Sequence, residues 1–334
     1  MLPIGKIPPE LLEKIFLGQP EHPELILGPG IGLDCAVIDV GDRLLALKSD
    51  PITFVTEAIG WYAVQVNAND IATVGGRPRW FLPTLLLPEN ETNAELVEGI
   101  MEQVRRACSK LGILLVGGHT EVTHGLDRPL LAGMMIGELS REELVTPRGA
   151  QPGDTLLLTK GVPIEGTVIL AREFEHQLRG DLGAGEIQLA KDFLFSPGIS
   201  VVRDSQLACQ AGRVHAMHDP TEGGIAAALW ELAAASGRTM LIDPHLIPVP
   251  QVSNKICRLF ELDPLASIAS GALLLSVHPE DAQQIGGALK RGGIPCAAIG
   301  RVEAGEAVVF ALEEGKRRPF PRPQRDEIAK LFDG

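Results

Sequence analysis

Residues 67–78, Asn-Ala-Asn-Asp-Ile-Ala-Thr-Val-Gly-Gly-Arg-Pro, constrain the fold of this chain more than any other stretch. Apolar side chains in residues 59–74 recur close to the spacing that keeps them on one face of a helix. Gly75 and Gly76 then end the helix, and Pro78 bars its continuation. The polar residues near the end of this predicted helix are Asn67, Asn69 and Asp70.

Acidic residues recur elsewhere in similar settings, each at the end of a predicted element and beside glycine or a turn. They are Asp34 after Gly30-Ile31-Gly32, Asp50 at a strand end, Asp70 before Gly75-Gly76, and Asp219 before Gly223-Gly224. Taken singly, each is typical of a cap, a turn or a solvated face. Taken together, four carboxylates on glycine-bearing loops suit magnesium, which prefers oxygen ligands and often binds substrate phosphates. The pattern leaves both interpretations open.

Composition narrows the functions that such a cluster can serve. The chain has 334 residues, a net charge of −13, and 45% hydrophobic residues, as a soluble globular protein does. Excess negative charge disfavours non-specific nucleic-acid binding, and a phosphate ligand would need a metal to bridge like charges. Five scattered cysteines form no C-x-x-C pair, so neither a disulfide framework nor a zinc site is indicated. Without a signal-peptide pattern or a long apolar run, we expect a cytoplasmic protein that contacts neither membrane nor nucleic acid.

Predicted strands and helices alternate along the whole chain, which indicates a mixed α/β protein of two halves. A chain of this length exceeds one typical core. The composition turns to Pro, Gly, Arg and Gln near residues 146–153. We therefore expect an N-terminal domain over residues 1–150 and a C-terminal domain over residues 151–334.

The motifs, in their order, resemble a superfamily that contains aminoimidazole ribonucleotide (AIR) synthetase, the hydrogenase maturation factor HypE, selenophosphate synthetase and thiamine-monophosphate kinase. The matching segments are residues 30–38, Gly-Ile-Gly-Leu-Asp-Cys-Ala-Val-Ile; Ser49-Asp50; residues 66–78; Gly117-Gly118-His119-Thr120; Thr159-Lys160-Gly161; and residues 219–225, Asp-Pro-Thr-Glu-Gly-Gly-Ile. The last segment and Asp263-Pro264-Leu265-Ala266 are most similar to HypE. The resemblance covers nearly the full length.

The resemblance implies a two-domain PurM-like fold, with an N-terminal domain that forms a β-barrel in a homodimer and a C-terminal α/β domain. It also implies an enzyme that binds ATP and Mg²⁺ and transfers the γ-phosphoryl group to an acceptor, either a small molecule or a carrier-bound group. By motif match, the implied magnesium ligands are Asp34, Asp50, Asp70 and Asp219. The implied nucleotide-binding residues are Gly30, Gly32, Asn67, Asn69, Gly117, Gly118, Thr120, Gly223 and Gly224. His119 and Lys160 are the candidate catalytic residues.

Some positions depart from the family pattern. HypE carries its substrate group on a cysteine of a C-terminal Pro-Arg-x-Cys tail, whereas the last cysteine here is Cys296. We therefore expect no carbamoyl transfer in the HypE manner. Ser270 stands where HypE has a glutamate, and Lys48 stands where threonine is common. An exposed strand lysine is the simpler interpretation of Lys48, with phosphate contact as the alternative.

Three functions are compatible with these observations. The first is an ATP- and magnesium-dependent phosphoryl-transferring enzyme whose acceptor is unassigned. The second is a HypE-type hydrogenase maturation factor with an altered tail. The third is a nucleotide-binding assembly protein without turnover, which ADP release would distinguish from the two enzymes.

Overall fold

The computed structural model describes residues 7, 9–16, 22–53 and 55–332. Of these residues, 22–28 and 34–144 form one compact unit, called here the N-terminal unit. Residues 9–16, 29–33 and 145–332 belong to the other, called here the C-terminal unit. The units differ from the expected domains in the placement of residues 9–16, 29–33 and 145–150, and the expected boundary stays a prediction.

The N-terminal unit is a mixed sheet with two helices. Its elements are β1 (Leu25–Leu27), β2 (Ala36–Asp39), β3 (Leu44–Ile52), α2 (Ile59–Thr73), β4 (Arg77–Pro88), α3 (Ala94–Leu111), β5 (Leu114–Leu115), β6 (His119–Thr123) and β7 (Leu130–Leu139), and α1 (Pro9–Phe16) precedes them in the chain. The strand order is β1-β2-β3-β7-β4-β5, and β6 also pairs with β4. Pairs of β4 with β5 and β6 are parallel, and the others are antiparallel.

Helix α2 is buried along nearly its whole length, because it packs on β3, β4 and β7 and is also in contact with α3. Its close approach to the sheet requires a glycine in β7. A Cβ on Gly137 would lie 2.2 Å from Cγ2 of Ile71 and 2.9 Å from the Arg77 carbonyl. The predicted helix before Gly75 is therefore correct, and its polar residues lie in the interior rather than on a solvated face.

The opposite face of this sheet is apolar and only partly covered. Leu47 and Trp80 both pair with Ile136, and Leu82 pairs with Met134. All five side chains point away from the residues buried on the helix side, and each remains half-buried or exposed in the single chain. Antiparallel sheets commonly leave one face solvated, but that face is then usually polar.

The C-terminal unit is a second seven-stranded sheet with helices on both faces. Its elements are β8 (Thr155–Thr159), α4 (Ile164–Glu173), α5 (Glu175–Leu178), α6 (Ala184–Asp192), α7 (Val202–Ala211), β9 (Val214–His218), α8 (Gly224–Ser236), β10 (Thr239–Ile242), α9 (Gln251–Leu259), β11 (Leu274–Val277), α10 (Ala282–Arg291), β12 (Cys296–Glu303), β13 (Val309–Glu313) and β14 (Lys316–Pro319). The strand order is β14-β13-β10-β12-β8-β11-β9, with only β10–β13 parallel among the described pairs.

The run Leu156-Leu157-Leu158 in β8 shows why this sheet is covered on both faces. Leu156 and Leu158 pack with α8 in one core, and Leu157 packs with residues of α7 and α10 in another. A continuous apolar strand is the pattern expected when both faces are buried. Among the described helices of both units, none has the length and apolar character needed to cross a membrane.

Candidate functional site

Lys48 lies between two of the carboxylates that were predicted to bind magnesium. Its Nζ is 3.3 Å from Oδ2 of Asp50, two residues along β3, and 3.2 Å from Oδ2 of Asp70 in α2. The side chain of Lys48 is 21% exposed, and that of Asp70 is 4% exposed. The interpretation of Lys48 as an exposed strand lysine is therefore wrong.

The electrostatic surroundings of Lys48 keep it charged. Burial alone would lower the pKa of its ammonium, but Asp70, Asp50 and Asp34 together reverse this and hold the pKa above its ordinary value. All three acids lie in the N-terminal unit, so one ammonium neutralises part of a triple negative charge. All three acids act on the same ammonium, and their role as magnesium ligands stays a prediction.

These three acids do not form a ready-made metal cage. Their oxygens do not form a set of three within 4.8 Å of one another in the described structure. Magnesium in nucleotide enzymes is usually held by one or two carboxylates, several waters and substrate phosphates, rather than by an all-protein cage. Asp50 and Asp70, which share one cation position, therefore fit a magnesium ion that arrives with a phosphate ligand.

Asn67 positions Asp50. Its Oδ1 accepts a hydrogen bond from the Asp50 N–H at 2.9 Å, and its Nδ2 donates to the carbonyls of Asp50 at 3.2 Å and Ala63 at 2.8 Å. The side chain is fully buried, beside Gly133, where a Cβ would lie 2.6 Å from Nδ2. Because both ends of the amide are used, these contacts favour a structural role over the predicted contact with nucleotide. Asn69 is also fully buried in α2.

The Gly-Gly-His-Thr motif lies at the start of β6 and is exposed. Gly118 adopts a φ of +145°, and a Cβ there would lie 2.3 Å from the Pro83 carbonyl, so packing against β4 explains this glycine. His119 Nε2 lies 2.9 Å from Glu121 Oε2, and both side chains are about half exposed or more. Gly117, His119 and Thr120 are therefore accessible to a ligand, and their predicted roles remain predictions.

The glycine loop before Asp34 belongs to the C-terminal unit, whereas Asp34 itself belongs to the N-terminal unit. Gly32 has a φ of +67°, and a Cβ there would lie 2.7 Å from the Glu231 carbonyl in α8. Gly30 is exposed. Local packing therefore requires glycine at position 32, while Gly30 is exposed to solvent.

Lys160 is held inside the C-terminal unit. Its Nζ donates to the carbonyls of Ser200 at 2.6 Å and Gly271 at 2.8 Å, and it lies 3.0 Å from Asp204 Oδ1. Its side chain is 4% exposed, and burial lowers its pKa even though Asp204 opposes this. The ammonium would have to leave three partners to reach a phosphate, so this geometry favours a structural role over the predicted catalytic one.

Asp219 directly follows β9 and is 1% exposed, and the Gly223-Gly224 turn connects this segment to α8. Both glycines have positive φ, and a Cβ on Gly224 would lie 2.6 Å from two backbone carbonyls. The Gly223 N–H donates to Asp326 Oδ2 at 2.7 Å, and the Gly224 N–H donates to the Thr221 carbonyl at 2.9 Å. Both N–H groups predicted to bind phosphate already have acceptors.

Two family models match the chain. AIR synthase related protein, N-terminal domain, matches residues 32–139, and AIR synthase related protein, C-terminal domain, matches residues 151–313. The chain belongs to the AIR synthase related proteins. This confirms the resemblance inferred from the motifs, and with it the two-domain α/β fold class and an enzyme of this superfamily.

Individual AIR synthase related proteins match over most of the chain. Carbamoyl dehydratase HypE of Escherichia coli is 28% identical over 311 residues, covering 90% of this chain and 88% of that protein. Selenide, water dikinase of Pelobacter propionicus is 27% identical and covers 92% and 93%. A crystal structure of HypE in complex with ATP superimposes with a TM-score of 0.73 at 24% identity, over 91% of each chain.

The motif comparison did not identify a group of buried acids in the C-terminal unit of this AIR synthase related protein. Glu165, in the first turn of α4, is 6% exposed, and its Oε2 has no hydrogen-bond partner among the residues that the structure describes. Burial raises its pKa to about 7; the Ser270 hydroxyl works against this, and Glu222, Asp326 and Asp219 add to it. Burial likewise raises the pKa of Asp326 to about 6, although it accepts from the backbone of Gly223 and Ile328.

The sequence held one signal for this group. Ser270 stands where HypE has a glutamate, and the Ser270 side chain is hydrogen-bonded to Glu165. Since positions 165 and 270 are far apart in the chain, only the fold shows that a carboxyl group is supplied there from α4.

We predict that Glu165→Gln makes the protein more stable at pH 8 than the wild type. The folded-state pKa is raised above the ordinary value of 4.5. Stability from the protonated carboxyl is therefore fully present below about pH 4.5 and is lost as the pH rises through about 7. The amide cannot ionise, so the variant should gain up to roughly 3 kcal/mol at pH 8 and little at pH 5.

Urea denaturation of both proteins between pH 5 and pH 8 measures this difference. Glu173→Gln, on an exposed residue at the end of the same helix, controls for the loss of one carboxylate and should leave stability unchanged. A stability difference between Glu165→Gln and the wild type that is constant across this pH range would contradict the prediction.

Proposed function

We propose that this protein is an ATP-binding, Mg²⁺-dependent enzyme that transfers a phosphoryl group to activate an acceptor. The observation that carries the proposal is the arrangement of Lys48 between Asp50 and Asp70. A largely buried cation position shared by two carboxylates, one in β3 and one in α2, is suited to a metal bound to phosphate.

The names of relatives of this chain support the same proposed function. One is a dehydratase, another is a dikinase, and a solved HypE structure contains ATP. We therefore propose that this chain also uses a nucleoside triphosphate. The acceptor is left as a small molecule or a carrier-bound group.

The proposed metal ligands in the N-terminal unit are Asp34, Asp50 and Asp70, and Asp219 of the C-terminal unit stays a ligand predicted from its motif. Magnesium would neutralise charge on the transferring phosphoryl group. Phosphoryl transfer depends mainly on positioning and on charge neutralisation, so it needs no protein nucleophile. Lys48 would supply a second positive charge, and Asn67 would fix the backbone of Asp50. The exposed Gly30, Gly117, His119 and Thr120 are the proposed nucleotide-facing residues.

A HypE-type maturation role is the second candidate, because the E. coli carbamoyl dehydratase matches over 90% of this chain. Such a reaction needs a thiol carrier in the manner of HypE. Among the five cysteines, Cys209 is exposed, Cys296 is half-buried and the others are buried. Burial raises the pKa of Cys296 to about 12, which disfavours its thiolate. The phosphoryl-transfer proposal does not depend on a thiol and is preferred.

We predict that Asp50→Asn, Asp70→Asn and Asp219→Asn each weaken Mg-ATP binding. Each substitution keeps one oxygen but removes a charge that the metal requires. The expected loss is roughly 1.5–3 kcal/mol per site, or about tenfold or more in affinity. Isothermal titration of Mg-ATP into the wild type and the variants measures it.

Asp42→Asn is the matched control, because Asp42 is an exposed acid in the N-terminal unit that pairs with Arg43. It should leave Mg-ATP affinity unchanged. If all of the metal-site variants also retain wild-type affinity, the acids have structural roles only, and the metal-site assignment is wrong.

We also propose that two chains associate through the N-terminal unit. The apolar, half-covered sheet face that includes Trp80, Leu82 and Met134 supports this proposal, since such faces are usually buried in an interface. Light scattering at micromolar concentration should give the mass of two chains. Met134→Lys should shift the mass toward one chain of 35.7 kDa without unfolding it. A monomeric wild type would exclude the homodimer.

A further inference from the structure

Lys48 occupies the position that a cation would take between Asp50 and Asp70. Its Nζ is 3.2 Å and 3.3 Å from one oxygen of each. Asp34 is the further charged group that acts on it. The ammonium thus stabilises this acidic cluster in the absence of any metal.

We propose that Lys48 excludes free divalent cations from Asp50 and Asp70, so that magnesium enters only together with a nucleotide. The phosphates of that nucleotide would accept the displaced ammonium. This inference rests on the proposed function and adds to it a coupling between metal and nucleotide binding.

The argument for exclusion is steric and electrostatic. Magnesium binds oxygens at about 2.0–2.1 Å, so an ion held by Asp50 and Asp70 would need the place of the ammonium. A lysine and a divalent ion in this one position would also repel each other strongly, because the site is largely buried. A metal ion alone offers the displaced ammonium no new partner.

A metal–nucleotide complex removes this obstacle. The four-carbon stem of lysine is flexible and its ammonium is a compact charge, so it can move while its backbone stays in β3. Triphosphate oxygens then replace the carboxylates as its partners. Each ligand therefore makes the binding of the other more favourable, which is a positive coupling between the two.

The experiment measures Mn²⁺ binding by electron paramagnetic resonance, with and without a non-hydrolysable ATP analogue. The proteins are the wild type, Lys48→Met, Lys48→Arg and Lys110→Met. Lys48→Met removes the charge at similar length, and Lys48→Arg retains it. Lys110→Met is the matched control, since the Lys110 ammonium lies over the Trp61 ring of the same unit and makes no ion pair among the described residues.

The wild type, Lys48→Arg and Lys110→Met should bind Mn²⁺ weakly alone and at least tenfold more tightly with the analogue. Lys48→Met should bind Mn²⁺ alone at least tenfold more tightly than the wild type, and its gain on adding the analogue should shrink by a similar factor. Circular dichroism verifies that each variant is folded. If Lys48→Met does not fold, Lys48→Gln, which retains a hydrogen-bond donor, replaces it.

Two results would overturn the inference. Only the second of them also excludes the proposed function. If wild type and Lys48→Met bind Mn²⁺ alone equally well, while the analogue still binds with the metal, Lys48 is not a barrier and the proposed function stands. If no protein in the series binds the analogue with Mn²⁺, the proposed function itself fails and the inference fails with it.

Discussion

The need to neutralise carboxylates in a buried setting underlies the organisation of the N-terminal unit. Asp70 lies in a helix that is covered by a sheet and by a second helix, where an isolated negative charge would be costly. Lys48 supplies the compensating charge from β3, and Asn67 ties the helix to the same strand through Asp50. The polar contacts that hold α2 on the sheet also place the candidate metal ligands.

The buried acids of the C-terminal unit are stabilised in a different way. Lys160, which is buried in this unit, forms an ion pair with Asp204 and donates hydrogen bonds to two backbone carbonyls. Burial raises the pKa values of Glu165 and Asp326, so that each holds its proton more tightly than an ordinary carboxyl group. Asp326 also accepts the Gly223 N–H, so a carboxylate of the chain itself lies at the start of α8. This is a favourable place for negative charge, because of the helix dipole.

The sequence was a good guide wherever a signal was local. The helix that ends at Gly75-Gly76 and the glycines that follow Asp219 both depend on residues close in the chain. The same holds for the motifs that placed the chain in its family.

The predictions from single residues were less reliable where the outcome depended on distant partners. The sequence alone favours an exposed Lys48, because its partner Asp70 is 22 positions away on another element and gives no local signal. Asn67 and Lys160 looked like ligands, but their hydrogen bonds bind them to their own units. Glu165 had only an indirect signal, the serine at position 270, since its contact with Ser270 exists only in the folded C-terminal unit. Burial and partner choice are tertiary properties that residue type does not determine.

The central claim is that Asp50 and Asp70 hold a metal that arrives with a nucleotide. A crystal structure with Mg²⁺ and a non-hydrolysable ATP analogue tests this claim most directly. We expect metal density about 2.1 Å from an oxygen of Asp50 or Asp70, with the Lys48 ammonium moved onto a phosphate oxygen. A structure in which the nucleotide is bound, Lys48 still joins both acids and the metal lies elsewhere would contradict the account.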